Sequence, residues 1–425
     1  MNLVEETAAA DMRRLREDAE GAEAERGLWA DQLAECRRGG ATVEALADTL
    51  RDVEVEPVLT AHPTEAKRIS VLEQHRALTR LLEHRRGGII EGASADRLRG
   101  EFRAALERLW RTGEILIEKP SVADERRNVL NYLREVFPRV LPELDRRFRS
   151  AWTAAGYPAD LVRDPAALPA LRFGSWVGGD RDGHPGVTAA VTAETLQQLR
   201  THALLVLHRQ LTALAVELPL SELIQPPPPR LIELRDRSVA ALGESAGPIL
   251  AANPGEPWRQ TTELLAARLP VDVRPGSVAD AHEGDGRYAQ ASELAADLTV
   301  LHGSLVDVGA DRLADHDVRP VQRAVDVFGF HLARLDVRQN SAFHDRALKQ
   351  LLSASGHDGS QWEEWPERER LRFLEQELRS PRPFLHPVTS AGTEADAVVG
   401  AYRVLAEHLT RNGADGLGSL IVSMT

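Results

Sequence analysis

The sequence has few of the features that define secreted or membrane proteins. Its 425 residues include one cysteine, Cys36, so no disulfide can form within the chain and a reducing cytoplasm is the expected compartment. The first residues carry no apolar core like that of a signal peptide, and no run approaches the ~18 apolar residues of a membrane span. A formal net charge of -13 argues against general affinity for nucleic acid or anionic membranes. We therefore expect a soluble cytoplasmic protein, although a local arginine cluster remains compatible with an anionic substrate.

Several common catalytic motifs are also missing. The chain has no HExxH, no CxxC pair, no GxSxG, no EF-hand loop, no GxGxxG and no P-loop. Its dispersed histidines show no metal-like grouping, so the sequence predicts neither a metal site nor a nucleotide site. Hydrophobic residues make up 43% and charged residues 28%, which is ordinary for a globular protein and excludes disorder over the whole length.

Helical periodicity dominates the chain. Apolar residues three and four positions apart predict helices along 98–109, 129–144 and 199–218, and Pro138 and Pro142 predict a kink or a break in the second of these. Segments 225–230, 274–286 and 355–366 are predicted loops.

Strand signals are few and short. They fall at 53–60, 171–177, 330–337 and 420–424, and the first three are each followed at once by a polar, charged cluster. Short buried strands between long helices predict parallel β/α units, in which reactive residues lie just past the strand ends. We expect a mostly α-helical protein with a few short parallel strands. Four strands are too few to close a barrel of eight, and they would leave open edges.

The first candidate site is VLTAHPTEAKR at 58–68, in which His62 follows a strand and Pro63 restricts its backbone. Histidine is the side chain best suited to proton transfer near neutral pH. For a lone histidine, however, a capping or packing role is the commoner outcome.

The second candidate is FGSWVGGDRDGHPGVT at 173–188, where glycines permit tight turns beside Trp176, Arg181 and Asp182. By composition alone, a surface turn held by an Asp–Arg pair is the better interpretation.

The third candidate is FGFHLARLDVRQNSAFHDR at 328–346, which includes the predicted strand 330–337. Alternation places Arg334, Asp336 and Arg338 on one face, where arginine could bind phosphate or form a structural pair with Asp336. His331 is predicted to be a core residue.

Together these motifs resemble the phosphoenolpyruvate carboxylase family from about residue 50 onward. VLTAHPTE is similar to that family's first catalytic signature, FGSWVGGDRDGHPGVT to its GGDRDGNP loop, LDVRQN to its LDIRQE strand end, and LIVSMT to a further strand. The resemblance implies half of a β/α (TIM-like) barrel surrounded by helices. We expect residues 1–50 to be a helical N-terminal segment and 51–425 to be the N-terminal half of the barrel domain.

The same resemblance implies an activity, in which phosphoenolpyruvate and bicarbonate give oxaloacetate and phosphate with Mg²⁺ or Mn²⁺. Carried over by position, His62 is the catalytic base, Arg338 binds the substrate phosphate and Trp176 belongs to the bicarbonate pocket, while Arg181 and Asp182 shape the neighbouring loop. The family also implies a homo-oligomer, commonly a tetramer, and an anaplerotic role.

The sequence departs from the family pattern at His184, Gly186 and Asn340, which indicates a divergent branch. The family's metal-binding carboxylates, catalytic lysine and mobile loop belong to its C-terminal half, so we expect a truncated sequence or a split gene product. The alternative function is that of a non-catalytic half-barrel acting as an interaction or regulatory subunit.

Overall fold

The computed structural model describes residues 25–60, 69–86, 92–112, 121–273, 280–281, 284–380, 386 and 389–424, with scattered positions between 9 and 21. The predicted base His62 lies outside these described residues. Most described residues are helical, as the sequence predicts.

The α-helices are α1 Trp29–Arg38, α2 Val43–Asp52, α3 Ile69–Arg86, α4 Ala93–Thr112, α5 Val122–Asn131, α6 Phe137–Ala154, α7 Ala189–Glu217, α8 Pro229–Leu242, α9 Ala246–Ala252, α10 Pro257–Ala267, α11 Ala291–Asp307, α12 Asp311–Leu313, α13 Arg319–Phe328, α14 Ser341–Ala354, α15 Glu367–Leu378 and α16 Thr393–Asn412. Short 3-10 turns occupy Ala159–Val162, Pro165–Ala167, Gly243–Ser245 and Trp362–Glu364, and π-turns occupy Tyr132–Val136 and Ala314–Val318. The strands are β1 Glu54–Val55, β2 Val58–Leu59, β3 Ala170–Leu171, β4 Gly174–Ser175, β5 Val271–Asp272, β6 Asp280–Ala281, β7 Arg334–Asn340 and β8 Leu417–Ser423.

The main sheet is parallel, as predicted, and its strands lie in the order β2, β4, β7, β8. β1 pairs with β3, also in parallel. The antiparallel pair β5–β6, which the sequence did not predict, is separate from this sheet. Because all four main strands run the same way, their C-terminal ends share one edge.

Proline explains why the first two predicted strands are each divided into two short pieces. Pro57 has no N–H to donate, so regular pairing stops between β1 and β2. The two chain segments nevertheless stay in register, since Arg172 N donates to Val55 O at 3.0 Å and Gly174 N to Pro57 O at 3.0 Å.

The third strand begins four residues later than predicted, at Arg334. Gly329 and Leu332 adopt positive φ angles of 49° and 57°, which turn the chain before the strand starts. The β-like residues Phe330 and His331 therefore lie in a buried turn, and the prediction that His331 is a core residue is confirmed.

A π-turn at Tyr132–Val136 accommodates the predicted interruption near Pro138. Pro138 has no N–H for the carbonyl of Arg134, and Arg209 Nη2 donates to that carbonyl instead, at 3.0 Å. Pro142 lies within α6.

Two compact units make up the chain. The described parts of 1–53, 61–128 and 139–169 form one, whose core centres on the fully buried Trp152 and includes the edge-on pair Trp29–Phe148 at 4.9 Å. The described parts of 54–60, 129–138 and 170–425 form the other, which holds the main sheet and the buried leucines of α7. The predicted domain boundary at residue 50 stays a prediction. Among the described residues, no helix is both long and apolar enough to cross a bilayer.

Candidate anion-binding site at the strand ends

The glycine-rich loop after β4 is joined to β7 through backbone hydrogen bonds. Arg338 N donates to Gly179 O at 3.0 Å, and Arg181 N donates to Arg338 O at 3.1 Å. A Cβ on residue 179 would lie 2.0 Å from Asp336 O, so only glycine allows the loop to approach this closely. The loop that follows Trp176 is therefore fixed against the strand that carries Arg338.

Trp176 and Arg338, two of the predicted substrate-binding residues, are in contact. The guanidinium carbon of Arg338 lies 4.0 Å from the centroid of the Trp176 ring, which is cation–π geometry. Trp176 Nε1 donates to Asp336 Oδ2 at 2.9 Å, and Ser419 N of β8 donates to Asp336 Oδ1 at 2.7 Å. The face predicted from alternation is confirmed, because Arg334, Asp336 and Arg338 are half-buried while the intervening residues are buried.

The guanidinium of Arg338 keeps hydrogen-bonding capacity. It forms an ion pair with Asp180, with Nη1 to Oδ2 at 3.8 Å, and its buried Nε has no hydrogen-bond partner among the described residues. A buried donor without a partner costs free energy. The arrangement can bind an oxyanion, since arginine presents its donors in a planar fork.

The side chains of Arg181 and Asp182 make their described contacts elsewhere. Arg181 Nη1 donates to Ala397 O of α16 at 3.2 Å, and Ser423 Oγ of β8 donates to Asp182 Oδ2 at 2.5 Å. Burial lowers the pKa of the Arg181 guanidinium, whose Nε and Nη2 have no partner in the described part of the chain. Both residues tie the loop to its neighbours, which is compatible with the predicted loop-shaping role.

The strand that precedes His62 reaches the same edge of the sheet. Trp176 N donates to Leu59 O at 3.2 Å, so the end of β2 lies beside Trp176. Of the five predicted site residues, the structure brings Trp176 and Arg338 into contact, and it ties Arg181 and Asp182 to the elements around them. The position of His62 stays a prediction.

Three residues near the site were not among the predicted site residues. Asp180 approaches Arg338, and its Oδ1 accepts from Gly183 N at 3.2 Å to close the loop. Ser419 and Gly418 belong to β8, whose pairing with β7 could not be read from local sequence. Glycine within a strand, as at position 418, is the one signal that could have indicated a close approach.

The departures from the family pattern have local structural roles. Asn340 caps α14, since its Oδ1 accepts from Ala342 N at 2.9 Å. His184 Nδ1 accepts from Gly186 N at 3.0 Å inside the loop.

Among the described residues, no three His, Cys, Asp or Glu side chains are grouped so that they could hold a metal ion. That part of the chain therefore does not fit the divalent metal that the resemblance implies.

Fold and site together define a class: a largely helical protein whose short parallel sheet carries, at its strand ends, a half-buried arginine stacked on a tryptophan. The chain belongs to the phosphoenolpyruvate carboxylase family, whose family model matches residues 1–425.

Curated relatives named phosphoenolpyruvate carboxylase agree with this membership. The Bradyrhizobium diazoefficiens protein is 33% identical over 404 residues, covering 94% of this chain and 42% of that protein. The Chromobacterium violaceum protein is 32% identical over 414 residues, covering 97% and 44%. The Nocardia farcinica protein is 34% identical over 385 residues, covering 89% and 40%. The chain thus spans less than half the length of these relatives.

Proposed function

We propose that this chain supplies the phosphate-binding part of a phosphoenolpyruvate carboxylase active site. The observation that carries the proposal is the Arg338 guanidinium, which stacks at 4.0 Å on Trp176 in a chain of this family. Its buried Nε has no hydrogen-bond partner within the described part of the chain. A phosphoryl group would accept hydrogen bonds from that guanidinium. The charge that develops on the phosphoryl oxygens during transfer would then be stabilised in a partly buried setting.

The proposed reaction has three steps. Bicarbonate oxygen attacks the phosphorus of phosphoenolpyruvate, and the bond from phosphorus to the enol oxygen breaks to give carboxyphosphate and the enolate of pyruvate. His62 then takes the proton of carboxyphosphate, which breaks down to CO₂ and phosphate. The methylene carbon of the enolate attacks this CO₂ to form oxaloacetate. Trp176 would form a wall of the space that holds bicarbonate and CO₂.

We further propose that the main sheet is half of a β/α barrel and is completed by the part of the relatives that this chain does not cover. Among the described strands, β8 pairs only with β7 and lies at one edge. Its Leu420 and Val422 are about half exposed, at 52% and 47%, which leaves an apolar surface for further structure. The ligands for Mg²⁺ or Mn²⁺ would then come from that uncovered part. A cytoplasmic location and a tetramer belong to the same proposal.

A chimera tests the proposal directly. This chain replaces the matching part of the Chromobacterium violaceum relative, and oxaloacetate formation is measured with phosphoenolpyruvate, bicarbonate and Mg²⁺. We predict that the chimera is active and that His62→Asn lowers the turnover number by roughly 100-fold or more, the usual loss when a general base is removed.

The matched control is His84→Asn, which changes an exposed histidine of α3 and should leave activity unchanged. Equal activity of the chimera and its His62→Asn variant would show that the role given to His62 is wrong. A folded chimera that forms no oxaloacetate would instead favour the alternative, a non-catalytic interaction or regulatory subunit.

A further inference from the structure

Asp336 links three parallel strands at the edge where the site lies. It belongs to β7, and its two carboxylate oxygens accept from different neighbours. Oδ2 accepts from Trp176 Nε1 just past β4 at 2.9 Å, and Oδ1 accepts from Ser419 N of β8 at 2.7 Å. Hydrogen bonds to an ionised carboxylate are stronger than those between neutral groups, so these bonds orient the indole ring.

Two glycines leave room for Asp336 in this position. A Cβ on Gly418 would lie 2.2 Å from Asp336 Oδ1, and a Cβ on Gly179 would lie 2.0 Å from Asp336 O. Nonbonded heavy atoms do not approach each other this closely, so a side chain at either position would displace Asp336. The Gly418 contact therefore confines the carboxylate beside β8, and the Gly179 contact confines the backbone of Asp336 beside the glycine-rich loop.

The ion pair of Arg338 is made with Asp180, at 3.8 Å, and not with Asp336. The indole of Trp176 lies between Asp336 and Arg338. Its N–H donates a hydrogen bond to the Asp336 carboxylate, and the Arg338 guanidinium lies over its face. An indole held at its N–H has a fixed plane, and a cation above that plane is restrained with it.

We propose that Asp336 is a positioning residue, which orients Trp176 and through it holds the Arg338 guanidinium ready for a phosphate or carboxylate ligand. Its value for catalysis rests on the function proposed above, but the geometric chain from Asp336 to Trp176 to Arg338 can be tested without any substrate.

The test measures how fast phenylglyoxal modifies Arg338, followed by peptide mass spectrometry on the full chain. Asp336→Ala removes both acceptor oxygens, and the exposed Ser419 can bond water instead. Trp176→Phe keeps an aromatic ring but has no N–H. Each variant should raise the modification rate of Arg338 roughly threefold to tenfold, because a ring whose plane is no longer fixed holds the guanidinium less firmly. Arg334, on the same strand and paired with Glu54, is the internal reference and should not change.

A double-mutant cycle separates positioning from a merely structural role. If Asp336 acts through the indole N–H, the double variant should react no faster than Trp176→Phe alone. The inference would be overturned if the two rate increases multiplied in the double variant. It would also be overturned if Arg338 were modified at the same rate in Asp336→Ala as in the wild type. Should Asp336→Ala fail to fold, Gly418→Ala moves the same carboxylate by steric contact and must also speed the modification of Arg338.

The failure of this inference and that of the proposed function are distinguishable. If the double variant reacts no faster than Trp176→Phe alone, but the chain binds no phosphoenolpyruvate, the positioning role holds and the proposed function is contradicted. If phosphoenolpyruvate binding depends on Arg338 but is unaffected by Asp336→Ala, the proposed function holds and the positioning role is contradicted. In an active chimera, the positioning role predicts a raised KM for phosphoenolpyruvate with a smaller change in kcat.

Discussion

At the scale of single residues, alternation along one strand was the most informative feature of the sequence. It placed Arg334, Asp336 and Arg338 on one face, and the structure confirms that face. The sequence could not decide between a structural Arg–Asp pair and an anion site, because both fit the same alternation. In the structure the carboxylate of Asp336 is bonded to Trp176 and Ser419, while Arg338 stacks on the indole and pairs with Asp180. The anion site stays a proposal.

Close contacts between neighbouring strands could not be predicted from the sequence. Gly179 and Gly418 are needed because Asp336 passes close to both, and that approach depends on a pairing register set by distant parts of the chain. Nothing within a few residues of either glycine encodes this register.

The burial of His331 should make the protein less stable at acidic pH. Burial, together with the nearby Arg200 and His408, lowers the pKa of His331 from 6.5 to about 3, so the native ring stays neutral. Below about pH 6.5 the unfolded chain takes up a proton that native His331 does not bind, so stability falls as the pH falls towards 3. The loss at pH 5 is about 2 kcal/mol on this account.

The measurement is the free energy of unfolding in urea at pH 7 and at pH 5. His331→Leu, which cannot titrate, should make the decline shallower, whereas the exposed His84→Gln should leave it unchanged. An identical decline in wild type and His331→Leu would contradict the assignment.

At the scale of secondary structure, helices were predicted better than strand boundaries. Helical periodicity is local, so 98–109 falls inside α4, and 199–218 ends only one residue past α7. The strands are short, and where each one ends depends on which hydrogen-bond partners its backbone N–H and C=O groups have. Pro57 splits one strand pair, and the turn at Gly329 and Leu332 delays the start of β7 by four residues. Both effects are tertiary or stereochemical, and neither is visible in β-propensity.

The start of α14 offers a test of one local departure from the family. Asn340→Ala removes the oxygen that caps Ala342 N, so it should lower the free energy of unfolding by about 1 kcal/mol. Asn340→Asp keeps an acceptor oxygen at the helix N-terminus and should retain most of the wild-type stability. Urea unfolding followed by circular dichroism distinguishes them, and equal stability of all three proteins would mean that the cap does not stabilise the fold.

At the scale of the whole molecule, the sequence indicated too few strands to close a barrel, and the four-stranded parallel sheet agrees with that count. Whether the sheet is half of a barrel depends on what lies beside β8. Parallel sheets are usually covered on both faces, and the half-barrel proposal requires that the exposed apolar side chains of β8 be covered by a further element.

A charge on that strand should block assembly without unfolding the chain. Val422→Lys changes a side chain that is 47% exposed, so stability should change by no more than about 0.5 kcal/mol. Binding to the separately expressed remaining part of a relative should weaken at least roughly tenfold, because a lysine would be buried without a partner. Val216→Lys, at a 58% exposed position on α7, is the matched control. Equal binding by both variants, measured by sedimentation, would exclude β8 from the interface.

Calorimetric titration of phosphoenolpyruvate into the purified chain tests the central claim most directly. The account predicts measurable binding to the wild type, at least roughly tenfold weaker binding to Arg338→Lys because the planar fork of donors is lost, and wild-type binding by Arg172→Lys, an exposed arginine paired with Glu54. Equal affinity of wild type and Arg338→Lys, or no binding by the folded wild-type chain, would contradict it.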